Sequence, residues 1–156
     1  MSAENIPSDE LAQALETGSL PPQTVKLLHH HAATAKQNSY SPYSKFRVGA
    51  SLLTHTGEIF TGCNVENASY GGAICAERTA FVKAVSEGHK KFLAVVVATD
   101  VEDAFISPCG FCRQFMVEFG KELLVYMTKA DGSHSVQKLK ELLPHSFGPE
   151  DLEKPR

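Results

Sequence analysis

The chain has 156 residues, 42% of them hydrophobic and 21% charged, with 15 basic residues against 18 acidic and a formal net charge of −3. That length makes one domain with a self-sufficient core. A slightly acidic balance is no footprint for a polyanionic nucleic acid, and no run of about 18 apolar residues offers a membrane span. The opening MSAENIPSDELAQ lacks the apolar core of a secretory signal, so a cytoplasmic location is expected.

In chain order, Ser8 to Glu16 reads as a short helix closed by Gly18. Residues 1–20 are taken as an N-terminal extension and residues 21–156 as the single domain. Pro21-Pro22 opens a longer helix through about Lys36, with Val25, Leu28, Ala32 and Ala35 at three- and four-residue spacing. His29, His30 and His31 lie within it. Helical neighbours point about 100° apart, so these three do not converge on a metal. Tyr40 to Ser44 is a turn-rich loop. Phe46 to Thr54 and Glu58 to Glu66 alternate as a hairpin around His55-Thr56-Gly57. A helix runs from about Cys75 to Glu87, stopped by Gly88. Phe92 to Thr99 is an unbroken apolar run, expected of a strand covered on both faces. A further helix spans about Gly110 to Phe119, and Leu123 to Thr128 is another buried strand. Asp131-Gly132 then turns the chain into an edge strand, Ser133 to Leu139, before a proline-broken tail. This order implies an α/β sandwich whose central β-α-β-α-β stretch runs parallel.

The sharpest feature is Cys75-Ala76-Glu77 followed, thirty-odd residues on, by Pro108-Cys109-Gly110-Phe111-Cys112. Both segments fall where a helix begins. The partial positive charge and free N–H groups of a helix N-terminus favour thiolate over thiol. Three thiolates from two helix starts suit Zn2+, which is tetrahedral and binds sulfur at about 2.3 Å, and they leave the fourth position open, as in catalytic sites. Arg78 is placed to hydrogen-bond a thiolate and offset the excess negative charge. The competing readings are a redox pair for the C-x-x-C and ordinary core for the stripe of Cys112, Phe115, Met116 and Phe119. A third cysteine followed two residues later by a glutamate favours zinc.

Glu77 shares its stripe with Phe81, Ala84 and Val85, which assigns a carboxylate to the interior. Burial raises its pKa and suits it to proton transfer beside a metal, with an ion pair to Arg78 as the alternative. Cys63 shares a face with Ile59, Thr61 and Val65 and is expected to be a free buried thiol; as a fourth ligand it would instead close the site into a structural one. Asn64 and Glu66 share the other face at the strand end, where hydroxyl recognition and a solvated tip are equally compatible with the pattern. On sequence physics alone, Phe147 is a tail aromatic docked on its own core.

Taken together, CAERTA and PCGFCRQ, preceded by SKFRVGA and GCNVEN and followed by LLPHSFGPEDL, resemble the small tetrameric cytidine deaminases of pyrimidine salvage over about Tyr40 to Leu152. The resemblance implies a three-layer α-β-α sandwich with a mixed five-stranded sheet. It implies one zinc per chain on Cys75, Cys109 and Cys112, with Glu77 moving protons. Asn64 and Glu66 would bind the ribose hydroxyls, Phe46 would pack near the base, and Ala76 would border the substrate. Ala68 and Tyr70 would reach a neighbouring subunit's nucleoside, and Phe147 would stack on a base held by yet another. The implied activity is hydrolytic deamination of cytidine and deoxycytidine, by a homotetramer, with no nucleic-acid polymer and no membrane as partner. Tyr70-Gly71-Gly72-Ala73 departs from the Tyr-Pro-Leu-Gly-like stretch of vertebrate members. The rival readings are a polynucleotide deaminase, a deaminase of another small aminopyrimidine, and a non-enzymatic zinc module.

Overall fold

The computed structural model describes residues 5–156. Its elements, in chain order, are α1 (Ser8–Thr17), α2 (Pro22–Lys36), β1 (Val48–Thr54), β2 (Ile59–Cys63), a 3-10 turn at Tyr70–Gly72, α3 (Ala76–Ser86), β3 (Phe92–Thr99), α4 (Gly110–Val117), β4 (Leu124–Thr128), β5 (His134–Lys138), α5 (Leu139–Leu142) and α6 (Pro149–Leu152). The sheet order is β2-β1-β3-β4-β5. β1 is antiparallel to both β2 and β3, β3 and β4 are parallel, and β5 closes the far edge antiparallel. β2, β3 and β4 therefore point the same way, as the β-α-β-α-β reading requires, with β1 interposed between the first two.

Alternation along β3 separates the layers. Val95 packs in a core with Ala80, Phe81 and Ala84 of α3 and Met116 of α4. Ala94, Val96 and Ala98 belong to a second core with Leu11 and Ala14 of α1 and Val25, Leu28 and Ala32 of α2. Helices on both faces make the expected three-layer sandwich. Two glycines let them lie directly on the sheet. A Cβ on Gly49 would come within 2.0 Å of the Ala32 carbonyl oxygen, and one on Gly62 within 2.5 Å of both the Ala76 carbonyl oxygen and the Ala80 nitrogen. Backbone contact at Gly62 fixes the start of α3 against β2.

The hairpin strands are shorter than predicted: β1 starts at Val48, and β2 ends at Cys63, beyond which the chain pairs elsewhere. Val65 leaves the sheet to bridge Tyr40 on one side and Ile74 on the other. This cross-link draws the 40–46 loop and the chain before Cys75 together. Cys63 is half-buried and free, not a core thiol, and donates to the Asn38 carbonyl oxygen at 3.4 Å. The expectation failed because β2 is an edge strand. Its buried face carries Phe60 and Gly62 towards α3, so Ile59, Thr61 and Cys63 fall on the less covered face.

The first described residues are part of the packing. Ile6, Leu11, Ala14 and Leu20 are buried in the α2-side core. The Ile6 N–H donates to the Gly57 carbonyl at 3.0 Å, and the Leu20 N–H to the buried Tyr126 hydroxyl at 2.8 Å. Gly18, at φ 70°, closes α1 by donating to the Ala14 carbonyl. Deleting residues 1–20 should therefore destabilise the fold by about 3 kcal/mol or more, once lost burial is set against the entropy of ordering the segment. For a chain of this length that lowers Tm by roughly 10 °C. An unchanged melting curve for the truncated chain would mean that these contacts add nothing.

Candidate metal centre

Cys75 and Cys109 are the N-cap residues of α3 and α4, and Cys112 sits one turn into α4. Their sulfurs converge. Cys75 Sγ lies 3.8 Å from Cys109 Sγ, which lies 3.7 Å from Cys112 Sγ. A tetrahedral ion bonded to sulfur at about 2.3 Å needs S···S edges of about 3.8 Å, so this donor set fits Zn2+. Among the described residues this is the one His/Cys/Asp/Glu group of metal-binding spacing, and it excludes both Cys63 and the histidine run. His29 Nδ1 is instead 2.8 Å from Thr128 Oγ1, while the His30 and His31 rings meet edge-on at 6.0 Å.

The surroundings of Cys75 favour its thiolate, the form that binds a cation. The Cys75 thiol is held down at about 5, first by a hydrogen bond from Cys112 and then by the Arg78 guanidinium, whose Nη2 is 3.5 Å from its sulfur. Cys112, fully buried, is pushed up by Cys75 and by burial. Arg78 also lies over the Phe111 ring, 5.9 Å from its centroid, and its buried Nε has no hydrogen-bond partner among the described residues. Glu77 is 4% exposed, and burial raises its carboxyl to about 7. Its Oε2 is 3.7 Å from Cys112 Sγ. The side chain stays beside the sulfurs and forms no ion pair with Arg78.

Above the sulfurs opens a cavity of about 260 Å³. Cys75, Cys109 and Glu77 line one side, and Phe46, Val48, Asn64 and Val97 another; Ser44, Ile106 and Ser107 complete it. Of the predicted contact residues, Phe46 and Asn64 are thus brought to the metal-site cavity. Asn64 also fixes its neighbours, accepting from the Val48 N–H at 2.9 Å and donating to the Phe46 carbonyl at 2.8 Å. Glu66 borders an adjoining cleft of about 310 Å³ that shares the Ser44 wall and includes Tyr70. The Ser44 hydroxyl and the backbone N–H groups of Tyr43 and Ser44 bind its carboxylate, which holds Glu66 below the usual range. Tyr70 is 76% exposed and tilted against Tyr43 at 5.6 Å. Ala68 is exposed, and Ala76 is buried as the first residue of α3. Phe147 is 58% exposed, outside the cavity of its own chain, so the core-docked reading of it fails. Sequence reasoning missed Ser44, Ile106 and Ser107, although Ser107-Pro108 immediately before Cys109 marks a rigid approach to a ligand.

The cavity wall is braced from outside. Arg47, between the lining residues Phe46 and Val48, binds Asp100 through Nε at 2.8 Å and Nη2 at 3.0 Å. Lys36 Nζ, nearly buried, meets the same carboxylate at 2.8 Å. Arg47 first, and then Lys36, hold Asp100 at about 2. A carboxyl lowered on folding stabilises above its unfolded pKa, about 4, and loses that contribution as pH falls towards 2. With Asp100 46% exposed, solvent screening leaves about 1 kcal/mol. Urea unfolding should show Asp100→Asn less stable than the parent near neutrality, with the gap closing on acidification. A gap independent of pH would remove the network from the stability of this wall.

The family model for the cytidine and deoxycytidylate deaminase zinc-binding region matches residues 22–128. A probable cytidine deaminase of Dictyostelium discoideum is 56% identical over 121 residues, which are 78% of this chain and 82% of the relative. The crystal structure of cytidine deaminase from Burkholderia pseudomallei superposes with a TM-score of 0.75 at 44% identity, covering 78% of this chain and 98% of that one. The enzyme from Mycobacterium tuberculosis gives 0.69 at 38%, covering 79% and 96%. With three sulfurs at zinc spacing and a buried glutamate beside them, the chain belongs to the cytidine and deoxycytidylate deaminase family.

Proposed function

We propose that this chain hydrolyses cytidine and deoxycytidine to uridine and deoxyuridine with release of ammonia, in pyrimidine salvage, as a cytoplasmic homotetramer. Residues 21–156 form its catalytic domain. The observation that carries the reading is Glu77: a carboxyl buried to 4% exposure, raised to about 7 by that burial, beside three sulfurs spaced for zinc and facing a cavity of about 260 Å³. Zinc, when held by Cys75, Cys109 and Cys112, would supply Lewis acidity that makes a water easier to deprotonate. Glu77 takes a proton from the attacking water and delivers it to ring N3, making C4 electrophilic. The water oxygen bonds to C4, Glu77 carries the remaining proton of that oxygen to the exocyclic nitrogen, and the C4–N bond breaks with ammonia leaving as the C4 carbonyl forms. Arg78 draws charge from the Cys75 sulfur and so offsets the three thiolates.

In this reading Phe46 packs on the base and Asn64 and Glu66 take the ribose hydroxyls, with Ala76 bordering the substrate. The exposure of Tyr70 and Phe147 fits side chains used on neighbouring copies, together with Ala68. Among the described residues no helix is long and apolar enough to cross a membrane. The test pairs zinc per chain with ultraviolet-monitored turnover on cytidine, deoxycytidine, other aminopyrimidines and a cytosine-containing oligonucleotide. Turnover confined to the two nucleosides is expected. One zinc per chain with no turnover on either would overturn the substrate assignment, and a monomer by sedimentation would overturn the shared-site arrangement.

A further inference from the structure

Arg113 follows Cys112 on α4 and directs its guanidinium at three neutral acceptors. Nε donates to the Pro108 carbonyl at 2.8 Å, Nη2 to the Ser107 hydroxyl at 2.7 Å and Nη1 to the Leu142 carbonyl at 2.6 Å. Such a set uses the planar fork of arginine, which a lysine ammonium does not reproduce. Each acceptor has a place in the site. Ser107 is a wall of the cavity. The Pro108 carbonyl belongs to the peptide that leads into Cys109, and Leu142 ends α5, where the tail carrying Phe147 begins. Gln114, the next residue, holds that tail again by donating to the Phe147 carbonyl at 2.9 Å.

We propose that Arg113 is a positioning residue for the deamination: it braces the Ser107–Pro108 segment against the start of the tail, and so sets the cavity wall relative to Cys109. The inference rests on the cytidine deaminase reading given above. Arg113 touches no reacting atom. Its removal lets the wall shift while three cysteines remain to bind metal, and a misplacement of about 1 Å in a site can cost on the order of 10²-fold in rate.

The experiment measures kcat and KM on cytidine, with zinc per chain, for the parent, Arg113→Met and Arg113→Lys. Both variants should keep one zinc per chain and show a raised KM along with a lowered kcat, the lysine variant recovering little because its ammonium does not reproduce the planar fork that reaches all three acceptors. For Arg113→Ala, added guanidinium ion at millimolar concentration should move KM back towards the parent. A purely structural role would lower the active fraction, and hence apparent kcat, with KM unchanged; that result, or loss of zinc with the arginine, overturns the proposal. Should Arg113→Met fail to fold, Arg113→Lys decides by the same criterion. A parent that does not turn over cytidine would defeat the underlying function instead, so the two failures are distinguishable.

Discussion

Glu77→Gln should retain one zinc per chain and measurable cytidine binding while kcat falls by on the order of 10²- to 10⁴-fold. Glutamine keeps the volume and much of the hydrogen bonding of the buried side chain, but it cannot take up and return a proton. The same substitution removes an ionisable group that burial already penalises. Stability should consequently hold or rise while activity collapses, which separates loss of chemistry from loss of fold. Zinc analysis, equilibrium dialysis with cytidine and a thermal melt beside the turnover assay provide the check. A variant with near-parent kcat would take Glu77 out of the mechanism.

Cys112→Ser should lower zinc from one per chain to near none, abolish turnover and reduce Tm. Cys112 is fully buried, and its sulfur is 3.7 Å from both Cys109 Sγ and Glu77 Oε2. Serine leaves two thiolates, too few for tight binding at an open site, and metal affinity is folding free energy where the ligands meet only in the folded chain. Cys63→Ser is the matched control. Cys63 stands apart from the metal-binding group, so zinc and activity should stay at parental levels. If Cys63→Ser loses zinc and Cys112→Ser keeps it, the ligand set is wrong.

Much of this was legible from residues because the signals were local. Gly88 and Gly120 ended helices, the FLAVVVAT run marked a strand buried on both faces, and Cys75 and Cys109 sat at helix starts that need no tertiary knowledge to locate. Glu77 stood out because its stripe was otherwise apolar. What failed depended on neighbours far away in sequence. Cys63 was misread because alternation says that a strand has two faces but not which of them a helix covers, and β2 turned out to be an edge strand. The early end of β2 depended on Val65 finding Tyr40 and Ile74 as partners. Packing of the N-terminal segment depended on Tyr126 and Gly57, more than thirty residues away from the segments that meet them. The walls at Ser44, Ile106 and Ser107 are loop residues, where no periodicity exists to read.

Cys75 lies before β3 in the chain, and Cys109 and Cys112 lie after it. A polypeptide that ends short of Cys109 therefore carries one of the three thiols, and no single hairpin or helix brings all three together. In the folded chain the sulfurs meet across β3, which lies between β1 and β4, with α3 and α4 sharing one core. The three-sulfur donor set is accordingly a property of the whole α/β unit, and a fragment lacking either helix start has no such set to offer zinc.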